Sequence, residues 1–426
     1  MASLLRATGP FVHPNVRWYA WFTTAFNARF YYPILAILFL DLGLSLSQFV
    51  TLNAIWAATI FLAEVPSGAL ADLIGRRKLL IAAAGLMVLE MLVLLTAPKD
   101  AGIWLFGFCA VNRILSGLAE AAASGADEAL AFDSLDDPEE WDEVLETTMK
   151  WRSGAMVVAM VVGALVYDAG SIGLKVEVAH RLPIVFCLAQ AVAAFLISLK
   201  FREVNEGKNE AGFAEIFAQT WKAAKWVLTT KAAILIVVGG LLIDGVARNF
   251  ATINSEYFRL IEIPTFTFGF IAAGSALLGV YTPRLSKYLA QNFSPLQNFV
   301  FTGAWMFLCL FLVGRVWPYW GVLPGIGVML GLAHLGFLMS RYLNRLADSS
   351  QRATVLSVKG LLFNISYGTA SLVFAGAVSL QKREAEMNDN EALRWTLEGQ
   401  PWVFVAAFLI FLVVARSLRL PKKIGS

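Results

Sequence analysis

Residues 64–78 read EVPSGALADLIGRRK, and this stretch decides how the rest of the chain is interpreted. Apolar runs long enough to form membrane-spanning helices lie on both sides of it. Gly68 allows another helix to approach closely, and Asp72 stands where the first apolar run ends. Gly75 supplies the turn, because glycine adopts either sign of φ at little cost. The basic residues at 76–78 are expected to stay on the cytoplasmic side of a membrane.

The composition places the chain among membrane proteins that cross the bilayer many times. Of its 426 residues, 58% are hydrophobic and 15% are charged, and the mean hydropathy is +0.65. A soluble protein carries about a quarter of charged residues. The three cysteines all fall inside apolar runs, so the sequence predicts no disulfide framework.

Twelve apolar segments come near the roughly 20 residues that a helix needs to cross a bilayer. The sequence therefore predicts an all-α membrane protein with twelve transmembrane helices. The predicted spans are 17–40, 48–71, 79–97, 103–131, 148–168, 181–199, 232–255, 265–283, 297–315, 319–343, 354–379 and 400–417.

The lysines and arginines of the loops predict the orientation. If the amino terminus is cytoplasmic, far more of them fall in cytoplasmic loops than in outer loops, as the positive-inside rule requires. The acidic stretch at 136–140 is a cytoplasmic exception, but acidic residues weigh little in that rule. We therefore expect a multi-pass protein of the cell (inner) membrane with both termini in the cytoplasm.

The longest cytoplasmic loop divides the predicted spans into two sets of six. This predicts an amino-terminal bundle over 1–200, a linker over 201–231 and a carboxy-terminal bundle over 232–426. The first part of the linker, 203–211, is polar and is predicted to be mobile. Apolar residues recur at helical spacing between Phe213 and Leu228, as in a helix that lies in the membrane interface. The alternative is that span seven simply starts early.

The pattern Gly68-x-x-x-Asp72-x-x-Gly75, followed by three basic residues, resembles the loop between helices 2 and 3 of the major facilitator superfamily. The resemblance implies two six-helix bundles, each built of three-helix inverted repeats. The matching loop after span eight, 279–287, is a worn copy, with Pro283 and Ser286 at the positions of the acid and the second glycine. A gate that depends on charge is therefore expected mainly in the first half.

The same resemblance implies a cytoplasmic clasp. In the family, the arginine of this loop pairs with an acid near the inner end of helix 4, which leaves two choices here. The acid of the loop faces the start of helix 11, where exposed N–H groups favour a carboxylate. The residues of this predicted conformational gate are Gly68, Asp72, Gly75, Arg76, Asp127 and Asp133.

Span four carries most of the charged residues that a bilayer would disfavour. Arg113, Glu120 and Asp127 are seven residues apart, so one helix face would hold all three. A charge at the bilayer centre costs about 2.5–3.5 kcal/mol on insertion scales, so these residues should face a partner or a watery cavity. Arg113 with Gly117 also resembles a second motif of the superfamily, which is linked to proton coupling. The alternative is a structural ion pair with a neighbouring helix.

The family places helices 1, 4, 7 and 10 around a central cavity, and this resemblance selects the predicted cavity residues. Some have simpler interpretations: Asp244 and Arg248 are spaced to neutralise each other on one helix, and His334 could be an interior histidine. Glu64 and Glu90 are interpreted as structural. The residues predicted to bind substrate or couple protons are Arg29, Arg113, Glu120, Asp244, Arg248 and His334.

These features predict a secondary active transporter of a small organic solute, coupled to protons and exporting a drug or metabolite. The missing proline in span five, 154–164, departs from proton-coupled exporters, so a proton-coupled importer of an anionic or zwitterionic metabolite stays open, as does a non-transporting receptor. No enzyme is predicted, since three scattered histidines offer no metal cluster or catalytic triad. We expect no cofactor, no metal and no nucleic acid, and a monomer that contacts substrate, protons and lipid.

Overall fold

The computed structural model describes Leu4 and residues 7–204, 213–347 and 352–418. These residues form helices, and no strand occurs among them. Within them, ten helices are long and apolar enough to cross a membrane, and the bent pair Thr265–Gly279 and Thr282–Asn292 raises the number to 11. The divided first span, described below, is not included in this number. The all-α membrane class predicted from the sequence is confirmed.

The contacts divide the chain into two compact units. The first unit comprises Met1–Leu44, Thr59–Ile216 and Thr265–Ala273. Within it, α4 packs against α5 and α8, and α1 packs against α7 and α8. The helices introduced here are α1 (Pro14–Asn27), α2 (Leu35–Asp41), α3 (Leu46–Ile74, of which the last part belongs to this unit), α4 (Arg76–Leu95), α5 (Ile103–Ala123), α6 (Ala126–Phe132), α7 (Trp141–Tyr167) and α8 (Val176–Ser198).

The second unit comprises Ser45–Ala58, Phe217–Pro264 and Gly274–Ser426. Within it, α10 packs against α14 and α15, and α13 packs against α14 and α16. The remaining helices are α9 (Phe213–Thr229), α10 (Lys231–Leu260), α11 (Phe268–Gly279, whose first residues belong to the first unit), α12 (Thr282–Asn292), α13 (Pro295–Val313), α14 (Val322–Leu346), α15 (Arg352–Glu384) and α16 (Asp389–Ser417).

Gly75 alone connects α3 to α4. Its φ is +94°, in the region that favours glycine. A Cβ built on Gly75 would lie only 2.6 Å from Oε2 of Glu203. The close approach of Glu203 therefore also requires glycine at this position. The tight connector predicted from the sequence is confirmed. The close helix approach expected at Gly68 is absent, since no heavy atom of the described residues comes within 4 Å of a Cβ built there.

The first predicted span is broken, so the prediction of a single helix over 17–40 is wrong. The helix α1 ends at Asn27, a 3-10 turn follows at Tyr32–Ile34, and α2 begins at Leu35. Pro33 lies in that turn and has no N–H to donate to a preceding carbonyl. Non-helical backbone at membrane depth is tolerated only when protein or a cavity surrounds it. Here the N–H of Phe30 donates to Sγ of Cys187 at 3.1 Å.

The fourth predicted span is also interrupted. The helix α5 ends at Ala123, Gly125 takes a left-handed φ of +74°, and α6 then begins at Ala126. The prediction that Arg113, Glu120 and Asp127 share one helix face is therefore wrong for Asp127, because it lies beyond the break. A glycine between two apolar runs lets the chain change direction at this point.

The amphipathic segment before the seventh span forms a separate helix, α9. Thr230 is extended, with φ −83° and ψ 108°, and it separates α9 from α10. The alternative of an early start to span seven is therefore wrong. Trp221 and Leu228 are exposed on α9, whereas Ala223 and Val227 are buried. The polar stretch predicted to be mobile at 203–211 falls mostly outside the described residues, which resume at Phe213.

Candidate functional site

Arg76, the first residue of α4 after the turn at Gly75, forms an ion pair. The Nη1 of Arg76 donates to Oδ2 of Asp133, one residue after α6, and both side chains are about a quarter exposed. Of the two acids that the sequence left open, the structure brings Asp133 to the arginine. Asp127 is half-buried, and its Oδ1 accepts from the backbone N–H of Glu128 at 2.9 Å.

The next residue, Arg77, hydrogen-bonds to the segment of chain that follows α8. Its Nε donates to the carbonyl of Phe201 at 2.7 Å, and its backbone N–H donates to Oε2 of Glu203 at 2.9 Å. Asn15 supports the same segment, since its side chain exchanges two hydrogen bonds with the backbone of Arg202. Sequence reasoning missed Glu203, because nothing in a polar linker indicates which carboxylate caps a distant helix.

The structure says less about the two other predicted gate residues, Asp72 and Gly68. The backbone of Asp72 lies within α3, but its side chain is outside the described part of the structure. The predicted contact of Asp72 with the start of α15, at 353–356, is therefore left as a prediction. Gly68 is exposed near the same end of α3.

A buried polar cluster forms where the break after α1 meets α4 and α5. The Nη1 of Arg29 lies 3.2 Å from Oε2 of Glu90, and the two side chains are 1% and 0% exposed. The hydroxyl of Tyr31 donates to Oε1 of Glu90 at 3.3 Å. The Nδ2 of Asn112 donates to the backbone carbonyl of Glu90 at 2.9 Å. We call Arg29, Tyr31, Glu90 and Asn112 the buried cluster.

The break in the first span explains how Arg29 finds its partner. Residues 28–31 leave the helical path, so the guanidinium can enter the space between α4 and α5. The sequence placed Arg29 among the cavity residues through the resemblance of its span to helix 1 of the superfamily. It offered no sign that Glu90, 61 positions away, would be the counter-ion, and it interpreted Glu90 as structural.

Arg113 is a buried cation whose hydrogen-bonding groups are largely unused. Its side chain is 6% exposed, and its Nε and Nη2 have no hydrogen-bond partner among the described residues. Its guanidinium carbon lies 4.7 Å from the centre of the Phe39 ring on α2, in cation–π geometry. Such an arginine can bind a planar anion through two parallel N–H groups.

Glu120 follows Arg113 by seven residues on α5 and is half-buried. The charges that act on it most are those of Arg29 and Glu90 in the buried cluster. Neither a hydrogen bond nor an ion pair joins its carboxylate to the described residues. The sequence placed Glu120 on the same helix face as Arg113, but in the structure the charges that act on it are those of the buried cluster.

The second unit contains its own charged cluster on α10 and α15. The Nη2 of Arg248 lies 2.8 Å from Oδ2 of Asp244, which confirms that these residues can pair on one helix. The Nη1 of Arg248 donates to Oδ1 of Asn364 at 3.0 Å, and its guanidinium carbon lies 5.3 Å from the Tyr367 ring centre. The pair is therefore part of an interhelical network rather than a self-contained salt bridge.

Lys359 extends this cluster along α15. Its ammonium nitrogen lies 5.6 Å from the centre of the Phe363 ring, and its charge interacts with those of Asp244 and Arg248. Two cations, Arg248 and Lys359, therefore interact with the single carboxylate of Asp244. Lys359 is not among the cavity residues that the sequence predicted.

His334 has a partner on a neighbouring element. Its Nδ1 lies 2.7 Å from Oγ of Ser286, the residue of α12 that stands at the position of Gly75 in the worn copy of the loop. Ser286 is fully buried. No group of three or more histidine, cysteine, aspartate or glutamate residues in the described part of the chain could hold a metal ion.

Comparison with known proteins supplies the family. The family model described as Major Facilitator Superfamily matches residues 18–371. The quinolone resistance protein NorA of Staphylococcus aureus strain MRSA252 is 21% identical over 322 residues, which cover 75% of this chain and 78% of NorA. NorA of strain MSSA476 is 23% identical over 225 residues, 53% of each chain.

Solved structures of transporters share the architecture. The nucleoside transporter NupG matches with a TM-score of 0.70 over 93% of this chain and 98% of NupG, at 10% identity. The peptide transporter POT in complex with sulfate matches with a TM-score of 0.69 over 97% of each chain, at 15% identity. Likeness at such low identity shows the fold and leaves the solute open.

Proposed function

The chain belongs to the Major Facilitator Superfamily, and from this premise we propose that it is a proton-coupled exporter of a small organic solute. Membership makes it a multi-pass membrane transporter of a small molecule rather than an enzyme. The proposal concerns three points: the coupling ion, the direction of transport and the residues responsible for both.

The observation that carries the proposal is the unpaired carboxylate of Glu120. It lies on a membrane-spanning helix, within range of the charges of Arg29 and Glu90, and no described residue binds it. A carboxylate in a low-dielectric site is driven toward its protonated form, while a nearby cation favours the charged form. Opposed influences of this kind suit a group that binds a proton in one state and releases it in another. Asp244 is the second candidate carrier.

The free N–H groups of Arg113 support a substrate with a carboxylate or similar anion. An anionic group bound at Arg113 would add a negative charge on the same helix as Glu120, seven residues away. Binding and protonation would then be linked, because each alters the free energy of the other. The proposed cavity residues are Arg29, Arg113, Glu120, Asp244, Arg248 and His334.

Similarity to NorA supports export, because a transporter that confers resistance must remove the compound from the cell. Quinolones carry a carboxylate, which matches Nε and Nη2 of Arg113, the two groups without a partner among the described residues. The same guanidinium also favours the second candidate, a proton-coupled importer of an anionic or zwitterionic metabolite. The direction of proton-driven flux distinguishes the two.

The Arg76–Asp133 pair supports a cytoplasmic clasp of the proposed gate, which consists of Gly68, Asp72, Gly75, Arg76, Asp127 and Asp133. The transport unit would be a monomer whose bundles at 1–200 and 232–426 are joined by the linker at 201–231. Both termini would be cytoplasmic.

Reconstitution into liposomes tests the proposal. Proteoliposomes are loaded with a pH-sensitive dye and a quinolone is added to one side, with an imposed pH gradient of either sign. Exchange of protons for quinolone supports the exporter, and movement of both in the same direction supports the importer. Solute flux that is indifferent to the pH gradient contradicts proton coupling.

A further inference from the structure

The second unit contains a cavity of about 580 Å³ between α10, α15 and α16. This volume lies within the range of sites that hold drug-sized molecules, about 300–1,000 Å³. All of its lining residues lie in the segments 241–249, 362–377 and 395–407. The charged side chains of Asp244, Arg248 and Lys359 do not line it, so it is separate from the charged cluster of the same unit.

The cavity has an apolar mouth that opens at the protein surface and a buried floor. Val373 and Val403 at its mouth are more than half exposed, and both lie on helices that cross the membrane. Phe374 and Phe404 are almost completely buried behind them. A molecule dissolved in the bilayer could therefore reach the cavity between α15 and α16.

The floor holds one polar group that lacks a partner. Asn249 of α10 is 2% exposed, and its Oδ1 has no hydrogen-bond donor in the described part of the chain. The hydroxyls of Ser366, Thr369 and Thr396, which also line the cavity, donate to backbone carbonyls, and the half-buried amide of Gln400 lies at its edge. A buried acceptor without a donor is costly, so a ligand that supplies the donor gains affinity.

We propose that this cavity binds neutral, mostly apolar small molecules that present one hydrogen-bond donor to Asn249. The apolar walls disfavour a charged ligand, because a charge placed there would lose its hydration without a counter-ion. A lipid acyl chain fits the walls but has no donor for Oδ1. The proposal concerns binding and stands whether or not the exporter assignment is correct.

Binding of tritiated 2-naphthol to the purified protein, measured by scintillation proximity, tests the site. Unlabelled 2-naphthol should compete about 3- to 10-fold better than 2-methoxynaphthalene, which is as apolar but has no donor, since a single hydrogen bond has a value in that range. Asn249→Leu should abolish this preference while retaining weak binding of both compounds.

A matched pair of substitutions locates the site without removing Asn249. Ala407 lines the cavity, whereas its neighbour Ala406 is exposed and does not. Ala407→Phe should fill the space and lower the affinity for 2-naphthol at least tenfold, and Ala406→Phe should leave it unchanged. Equal binding by both variants, or no preference for the donor-bearing compound, overturns the proposal. So does a phospholipid that copurifies with the parent protein, is lost from Ala407→Phe and blocks 2-naphthol, because an acyl chain would then be the occupant.

Discussion

Replacing Arg29 by methionine should destabilise the protein by about 3–5 kcal/mol, the cost of breaking a buried ion pair by removing one partner. Arg29 and Glu90 are 1% and 0% exposed, so water cannot compensate the carboxylate that is left behind. Methionine keeps much of the length of arginine, which limits the contribution of a new void to the measured loss.

The double variant Arg29→Met/Glu90→Leu separates the unpaired charge from the loss of packing. It removes both charges, so the large penalty should disappear. The hydroxyl of Tyr31 loses its acceptor in this variant, which costs about 1–3 kcal/mol. The amide of Asn112 keeps its bond, since it donates to the backbone of residue 90. The double variant should therefore be more stable than Arg29→Met alone.

Unfolding in detergent micelles, followed by tryptophan fluorescence as denaturant is added, measures these differences. Lys150→Met is the control, because Lys150 and Glu146 form an exposed pair and its loss should leave the transition unchanged. A loss below about 1 kcal/mol for Arg29→Met, or a double variant no more stable than that single variant, would refute the reasoning.

Three further predictions concern packing, the gate and the orientation. Gly163→Ala should lower the yield of folded protein, because the added Cβ would lie 1.7 Å from the carbonyl oxygen of Phe30. Gly154→Ala on the same helix is the control, since its Cβ would meet nothing within 4 Å and the substitution should be neutral. Size-exclusion chromatography compares the yields of the two variants. Arg76→Ala should slow transport by up to about fivefold with little change in substrate affinity, the scale of a partly exposed ion pair, and equal rates for Arg76→Ala and the parent would contradict the clasp. In intact cells, an impermeant maleimide should label Glu386→Cys and leave Lys208→Cys unlabelled, and the reverse pattern would invert the orientation.

The sequence predicted the helical class and the turn at Gly75 because both depend on local features. Apolar length identifies a span regardless of its neighbours. A glycine between two apolar runs marks a turn, because glycine adopts a positive φ at little cost. The pair of Asp244 with Arg248 was predictable for the same reason, since helical spacing alone brings the two side chains together.

The breaks in the first and fourth spans, and the partner of Arg29, were not predictable from local pattern. Both broken segments are long enough and apolar enough overall to read as single spans, and hydropathy does not report where tertiary contacts hold an unwound backbone. Arg29 reaches Glu90 only because residues 28–31 leave the helix. The cap that Glu203 provides for α4 was hidden for a related reason, because it joins residues more than 120 positions apart.

The central claim, that Glu120 couples protons to solute movement, is tested most directly by the variant Glu120→Gln in two paired assays. Gradient-driven accumulation of a quinolone is measured in proteoliposomes under an imposed pH difference, and counterflow is measured without one. The account predicts that Glu120→Gln abolishes accumulation and retains counterflow, because the neutral amide cannot release a proton but leaves the substrate site intact. Retention of accumulation, or loss of both activities, would contradict it.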